Sequence, residues 1–111
     1  MVRSQALDRT FSALADPTRR DILERLVRGP ASVSELARPY GMSLPGVMKH
    51  VRILEGADLV RTRKHGRTRE VRLGEKGMDH AAGWIDRHRR QWEGRLDRLE
   101  AAIERRRGAR S

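Results

Sequence analysis

The chain has 111 residues, no cysteine, and 25 Lys and Arg against 15 Asp and Glu, a formal charge of +10. That length fits one domain spanning residues 1–111, and the missing cysteine excludes disulfides, thiolate metal ligands and a thiol nucleophile. The charge predicts salt-dependent attraction to a polyanion without choosing among DNA, RNA and anionic membrane.

A hydrophobic content of 37% supports a modest core, and a chain this small usually leaves apolar surface to set against a partner subunit. The first residues carry no signal-like apolar run, and no later stretch approaches ~18 consecutive apolar residues. A cytoplasmic protein with no membrane partner is therefore expected.

Taken in order, residues 3–14 place Leu7, Phe11 and Leu14 four and three apart, the pattern of an amphipathic helix. Asp16-Pro17 supplies an N-cap and a first-turn proline for a second helix with Ile22, Leu23, Leu26 and Val27 as its core stripe, ended by Gly29-Pro30. Ala31 to Arg38 predicts a short third helix with Val33, Leu36 and Ala37 facing in, capped by Ser32 or Ser34. Glu35 follows Ser32 at the spacing of a capping box.

Pro39-Tyr40-Gly41 stops that helix, and Ser43 caps the next, which runs to about residue 57. Here Leu44, Val47, Val51 and Leu54 form one face at steps of three and four, while Pro45, Met48, Lys49 and Arg52 form the other. Two short helices joined by a tight turn make a helix-turn-helix, whose second helix enters the DNA major groove.

Residues 59–73 then read as a hairpin wing of two strands around His65-Gly66-Arg67, with Val71 and Leu73 facing in and Glu70 and Arg72 facing water. An isolated hairpin is marginal, so it must lean on the helices. Residues 75–107 form the longest helical pattern, in which Ile85, His88, Trp92, Leu96, Leu99 and Ile103 follow one face. A stripe longer than the core needs is most simply buried against a second copy of the chain. The tail from Arg105 to Ser111 is expected to fray. The fold class is thus α+β, mainly α: a winged helix-turn-helix with dimerisation helices at both ends.

These residues resemble the ArsR/SmtB family of bacterial winged-helix repressors. The resemblance is carried by Phe11-Ser12-Ala13-Leu14-Ala15-Asp16-Pro17-Thr18-Arg19-Arg20-Asp21-Ile22-Leu23, by Ser34-Glu35-Leu36-Ala37, by Ser43 to Glu55, and by Leu59-Val60-Arg61 with Gly66-Arg67. Within the family the chain is most similar to the cysteine-free branch that includes small autorepressors. The resemblance implies a homodimer joined through the first and last helices, with Leu7, Phe11 and Leu14 meeting the long-helix stripe. It also implies a base-reading surface of Ser43, Pro45, Gly46, Met48, Lys49 and His50, with Arg52 near the backbone and the wing residues Arg63, Lys64, His65, Gly66 and Arg67 at phosphates or the minor groove. Met48 departs from the small polar residue, often serine, that the family usually carries. Asp58 departs from a helix-ending glycine, and aspartate tolerates the left-handed conformation less readily.

The expected function is a sequence-specific transcriptional regulator, a homodimeric repressor occupying a palindromic promoter operator. Two readings compete with it: a derepressor with a metal or small-molecule effector at the dimer interface, and a non-specific architectural nucleic-acid binder. His80 and His88 invite the metal reading but stand about 12 Å apart along one helix, too far to chelate one ion together, so no metal and no cofactor is assigned. His50 has two readings, a contact to DNA and a tether to its own scaffold. Trp84 and Trp92 read as interface core in preference to an effector pocket. No nucleophile elbow, phosphate loop or HExxH motif occurs, so no enzymatic activity is expected.

Overall fold

The Asp16-Pro17 pair shows how local chemistry sets the architecture. Asp16 is extended, its carboxylate accepts from the Arg19 amide at 3.0 Å, and Pro17 occupies a first-turn position where no donor is lost. The computed structural model describes residues 5–109. In chain order it contains α1 (Gln5–Leu14), α2 (Pro17–Leu26), β1 (Ala31–Ser32), α3 (Val33–Ala37), a 3₁₀ turn (Arg38–Tyr40), α4 (Leu44–Gly56), β2 (Val60–His65), β3 (Thr68–Leu73) and α5 (Lys76–Ala109). Residues to Ala81 form one compact unit and those from Ala82 a second.

In the first unit, helices α1 to α4 and the sheet enclose a core of Ile22, Leu36, Val47, Val51, Leu54, Leu59, Val60 and Val71, each 1% exposed or less. Arginines of α2 close the ends of neighbouring helices. Arg19 donates to the carbonyls of Ala13 and Ser12, Arg20 to that of Leu14, and Arg25 to those of Leu36 and Glu35. Helix C-termini leave carbonyls without intrahelical partners, and these guanidinium groups supply donors to them.

The sheet has three antiparallel strands in the order β1-β3-β2, one more than the two-stranded wing expected from sequence. The extra strand is two residues long, Ala31 opposite Val71 and Ser32 opposite Glu70, too short to announce itself by alternation. It displaces the start of the third helix from Ala31 to Val33. Ser32 remains its cap, accepting from the Glu35 amide, and its hydroxyl donates to the Glu35 carboxylate.

Several expected core positions lie outside. Val27 is 73% exposed, because α2 ends at Leu26 before the stripe completes its turn. Leu44 and Leu73 are exposed as well, each at the end of its element where the core no longer reaches. Leu14, assigned above to the dimer surface, leans on its own core, while Leu7 and Phe11 are half-buried.

Glycine is required at Gly77, buried at the start of α5. Its amide donates to the Asp58 carbonyl at 3.1 Å, and a Cβ there would stand 2.2 Å from the Ala57 carbonyl oxygen. In the second unit α5 is helical to Ala109 among the described residues, past Arg105 where the tail is expected to begin to fray. Arg110 and Ser111 lie outside them, as does Arg3 of the first predicted helix. Acid–base pairs at helical spacing, Asp86 with Arg89 and Arg90, reinforce this exposed helix.

Candidate nucleic-acid interface

Helix α4 is built to present one face and hide the other. Ser43 is extended at the N-cap and its hydroxyl accepts from the Gly46 amide at 3.2 Å. A Cβ on Gly46 would meet that same oxygen at 3.2 Å, so glycine here leaves room for the cap. At the other end Asp58 takes the left-handed conformation (φ 56°) that the departure from glycine demands. Between them Val47, Val51 and Leu54 are fully buried, whereas Leu44, Pro45, Lys49 and Arg52 are exposed. Lys49 and Arg52 have no ion-pair partner among the described residues, so their charge is available to an outside anion.

The other residues expected to face DNA divide. Met48 is half-buried and packs on the core, so only part of it is offered outward. His50 is half-buried, and its Nδ1 lies 3.3 Å from Arg19 Nη1 and 3.9 Å from the Asp16 carboxylate, contacts that the scaffold reading requires. The Arg19 amide, first, and the nearby charges of Arg19 and His50 hold the Asp16 carboxyl below the usual carboxylate range.

The wing is a tight hairpin, β2 paired to β3 from Val60 opposite Leu73 to His65 opposite Thr68. Gly66 turns it with a φ of 62°, and the Thr68 hydroxyl donates back to the His65 carbonyl. Arg63, Lys64, His65, Gly66 and Arg67 are all exposed at or near the tip. Arg63 faces Glu70 across the ladder, and Glu70 is also bonded to Arg72, which lowers the Glu70 pKa.

A tie between helix and wing went unread in the sequence. The Glu55 carboxylate accepts from both the amide and the hydroxyl of Thr62, at 3.2 and 2.7 Å, and Arg69 donates to that hydroxyl at 2.9 Å. Seven residues separate each pair, a spacing that carries no signal until the hairpin is folded. Flanking this tie, Val33, Leu44, Pro45 and Met48 with Arg52, Arg67 and Arg69 line a groove of about 440 Å³.

On α5, Trp92, Leu96, Leu99 and Ile103 are 43–72% exposed, and Ile85 is 46% exposed. The His88 ring stacks on Trp84 at 4.0 Å, and its Nδ1 lies 2.8 Å from the Trp84 carbonyl oxygen. Among the described residues no three His, Asp or Glu side chains converge as a metal site would require, and no helix is long and apolar enough to cross a membrane.

Residues 14–63 match the helix-turn-helix domain family. The chain is 44% identical over 80 residues to the HTH-type transcriptional regulator Rv2034 of Mycobacterium tuberculosis, covering 72% of this chain and 75% of that one. It is 27% identical over 79 residues to the transcriptional repressor SdpR of Bacillus subtilis, covering 71% and 88%. Among solved structures, the crystal structure of an ArsR family transcriptional regulator superposes with a TM-score of 0.76 at 45% identity, over 80% of this chain and 98% of the other.

Proposed function

Because this chain belongs to the ArsR family of winged helix-turn-helix transcriptional regulators, we propose that it is a cytoplasmic repressor that binds a palindromic operator as a homodimer. Two copies of α4 related by a twofold axis would enter successive major grooves, about 34 Å apart. Lys49 and Arg52 supply attraction to phosphates, and the wing tip from Arg63 to Arg67 contacts the flanking backbone or minor groove. Occupying promoter DNA is itself the repressing act, and no covalent chemistry is needed.

The observation that carries this reading is the two-sidedness of α4: Val47, Val51 and Leu54 are sealed, while Lys49 and Arg52 face out without ion-pair partners among the described residues. His50, held against Arg19 and Asp16, orients the helix and is not a reader of bases. The exposed α5 stripe supplies the apolar surface a second copy would cover.

The test is a gel-shift titration of Lys49→Ala and Arg52→Ala at fixed and varied salt. Each substitution is expected to weaken binding and to reduce the salt slope by about one, with thermal stability unchanged. Unchanged affinity in both variants removes the assignment of α4 as the DNA-contacting helix. A regulator holds its site ~10³-fold or more above random duplex, whereas an architectural binder shows one affinity for every sequence.

A further inference from the structure

The major groove offers hydrogen-bond donors, acceptors and one kind of apolar group, the C5-methyl of thymine. The first two turns of α4 are poor in the groups that read the first two. Ser43 commits its oxygen to the Gly46 amide, Pro45 has no amide hydrogen, and Gly46 has no side chain. His50 sets its Nδ1 against Arg19 and Asp16, so Lys49 is the charged side chain in those turns without an ion-pair partner among the described residues.

What these turns do expose is hydrocarbon. Leu44 is 52% exposed at the first helical position, Pro45 beside it is exposed, and Met48 forms a half-buried floor one turn on. They line one groove with Val33 and the hydroxyl residues Ser34 and Thr68, and Arg52, Arg67 and Arg69 line the same groove. An apolar trough with a cationic rim fits a ligand that is greasy where it touches the floor and anionic along its edges, as thymine methyls between phosphate strands are.

Resting on the regulator reading above, we infer that this protein selects its operator chiefly through thymine, whose methyl groups pack on the trough of Leu44, Pro45 and Met48. Leu44 is the specificity-determining residue of the trough. Lys49 and the rim arginines provide affinity that is nearly blind to sequence. Specificity through methyl contact is made of small steps, so several thymines per half-site are needed to reach the discrimination a regulator requires.

The experiment begins with a duplex enriched from a random pool by the purified full chain. Each thymine of that duplex is then replaced singly by deoxyuridine, which removes the methyl and leaves every hydrogen-bonding group in place. Binding is expected to fall about fourfold at each contacted thymine, the factor that burial of one CH₂-sized group supplies. Leu44→Ala is expected to bring the thymine-to-deoxyuridine ratio at those positions close to one with the salt slope unchanged. Lys49→Ala is expected to lower affinity and salt slope while keeping the ratio.

A deoxyuridine scan that stays flat at every thymine, with specific binding intact, overturns the inference and leaves the regulator reading standing. So does a Leu44→Ala variant that keeps the full deoxyuridine penalty. A pool that yields no enriched duplex removes both readings together. Leu44 is exposed at a helix end, so its replacement does not endanger folding, and the circular dichroism melt of the variant checks this.

Discussion

In the unit ending at Ala81, Ile22, Leu36, Val47, Val51, Leu54 and Val71 are completely buried, while in the unit beginning at Ala82 the large apolar residues of α5 keep 36–72% of their surface. The first set closes on its own chain: helices, sheet and arginine caps satisfy one another. The second repeats Ile85, Trp92 and Leu99 every seven residues, with Leu96 and Ile103 four beyond the last two, the spacing of a helix seam. A lone helix in water gains little from propensity alone, so such a stripe is stable only when covered. The difference separates what this chain buries against itself from the apolar stripe that, in the homodimer proposed above, a second copy would cover.

The largest expected effect tests that division directly. Leu96→Glu combined with Leu99→Glu is expected to turn a dimer into a monomer in light scattering and to weaken operator binding at least 100-fold, as two half-sites are no longer held together. A wild-type chain that is already monomeric would break the comparison.

Next in size is the core. Leu36→Ala is expected to cost about 2–5 kcal/mol in urea unfolding, the range for emptying a buried leucine site. Gly77→Ala belongs with it, since a methyl group cannot share the space of the Ala57 carbonyl, and a lower melting temperature would show this.

Thr62→Val sharpens the comparison within the first unit. It removes the hydroxyl that Glu55 accepts from and Arg69 donates to, and is expected to cost roughly 0.5–1.5 kcal/mol by chemical denaturation. A double-mutant cycle with Arg69→Ala should then show coupling, as the two residues share one bond.

The smallest effect is with pH. Asp16 and Glu70 both titrate below their ordinary values of 3.8 and 4.5, the first chiefly through the Arg19 amide and the second through Arg72. Groups with depressed native pKa values stabilise the fold fully above their ordinary values, and that contribution is lost as pH falls through the native ones. The melting temperature is therefore expected to hold from neutral pH down to the ordinary carboxylate range and to fall below it. Asp16→Asn should flatten part of that fall.

The sequence made the helices legible because their signals are local. Asp16-Pro17 and Ser43-Leu44-Pro45 mark two starts by capping chemistry, and both are found where their spacing put them, while of the two serines offered for the third helix Ser32 is the cap and the helix begins at Val33. The two-stranded hairpin with Gly66 at its turn was equally readable. Strand β1 was not, since two residues show no period and depend on a partner forty positions away. Val27 and Leu44 show the limit of periodicity, which says what shares a face and not where the neighbouring element ends.

At the interface, the exposed cations on α4 were legible from their alternation with the buried valines. The roles of Arg19, Arg20 and Arg25 as caps on other helices' carbonyls were not, because an arginine's reach across six to eleven residues leaves no pattern. His50 was ambiguous for the same reason, and the nearness of Arg19 and Asp16 to its Nδ1 shows only in the fold.

The bond between Glu55 and Thr62 has a mechanical outcome. On the DNA-binding reading proposed above, this tie restrains the span from α4 to the hairpin tip, so that the double helix would be the partner that adjusts. Sequences whose grooves already match that span would then bind without bending, while stiff tracts of the wrong width would have to be deformed first. Base pairs that no side chain touches would thereby join in choosing the site.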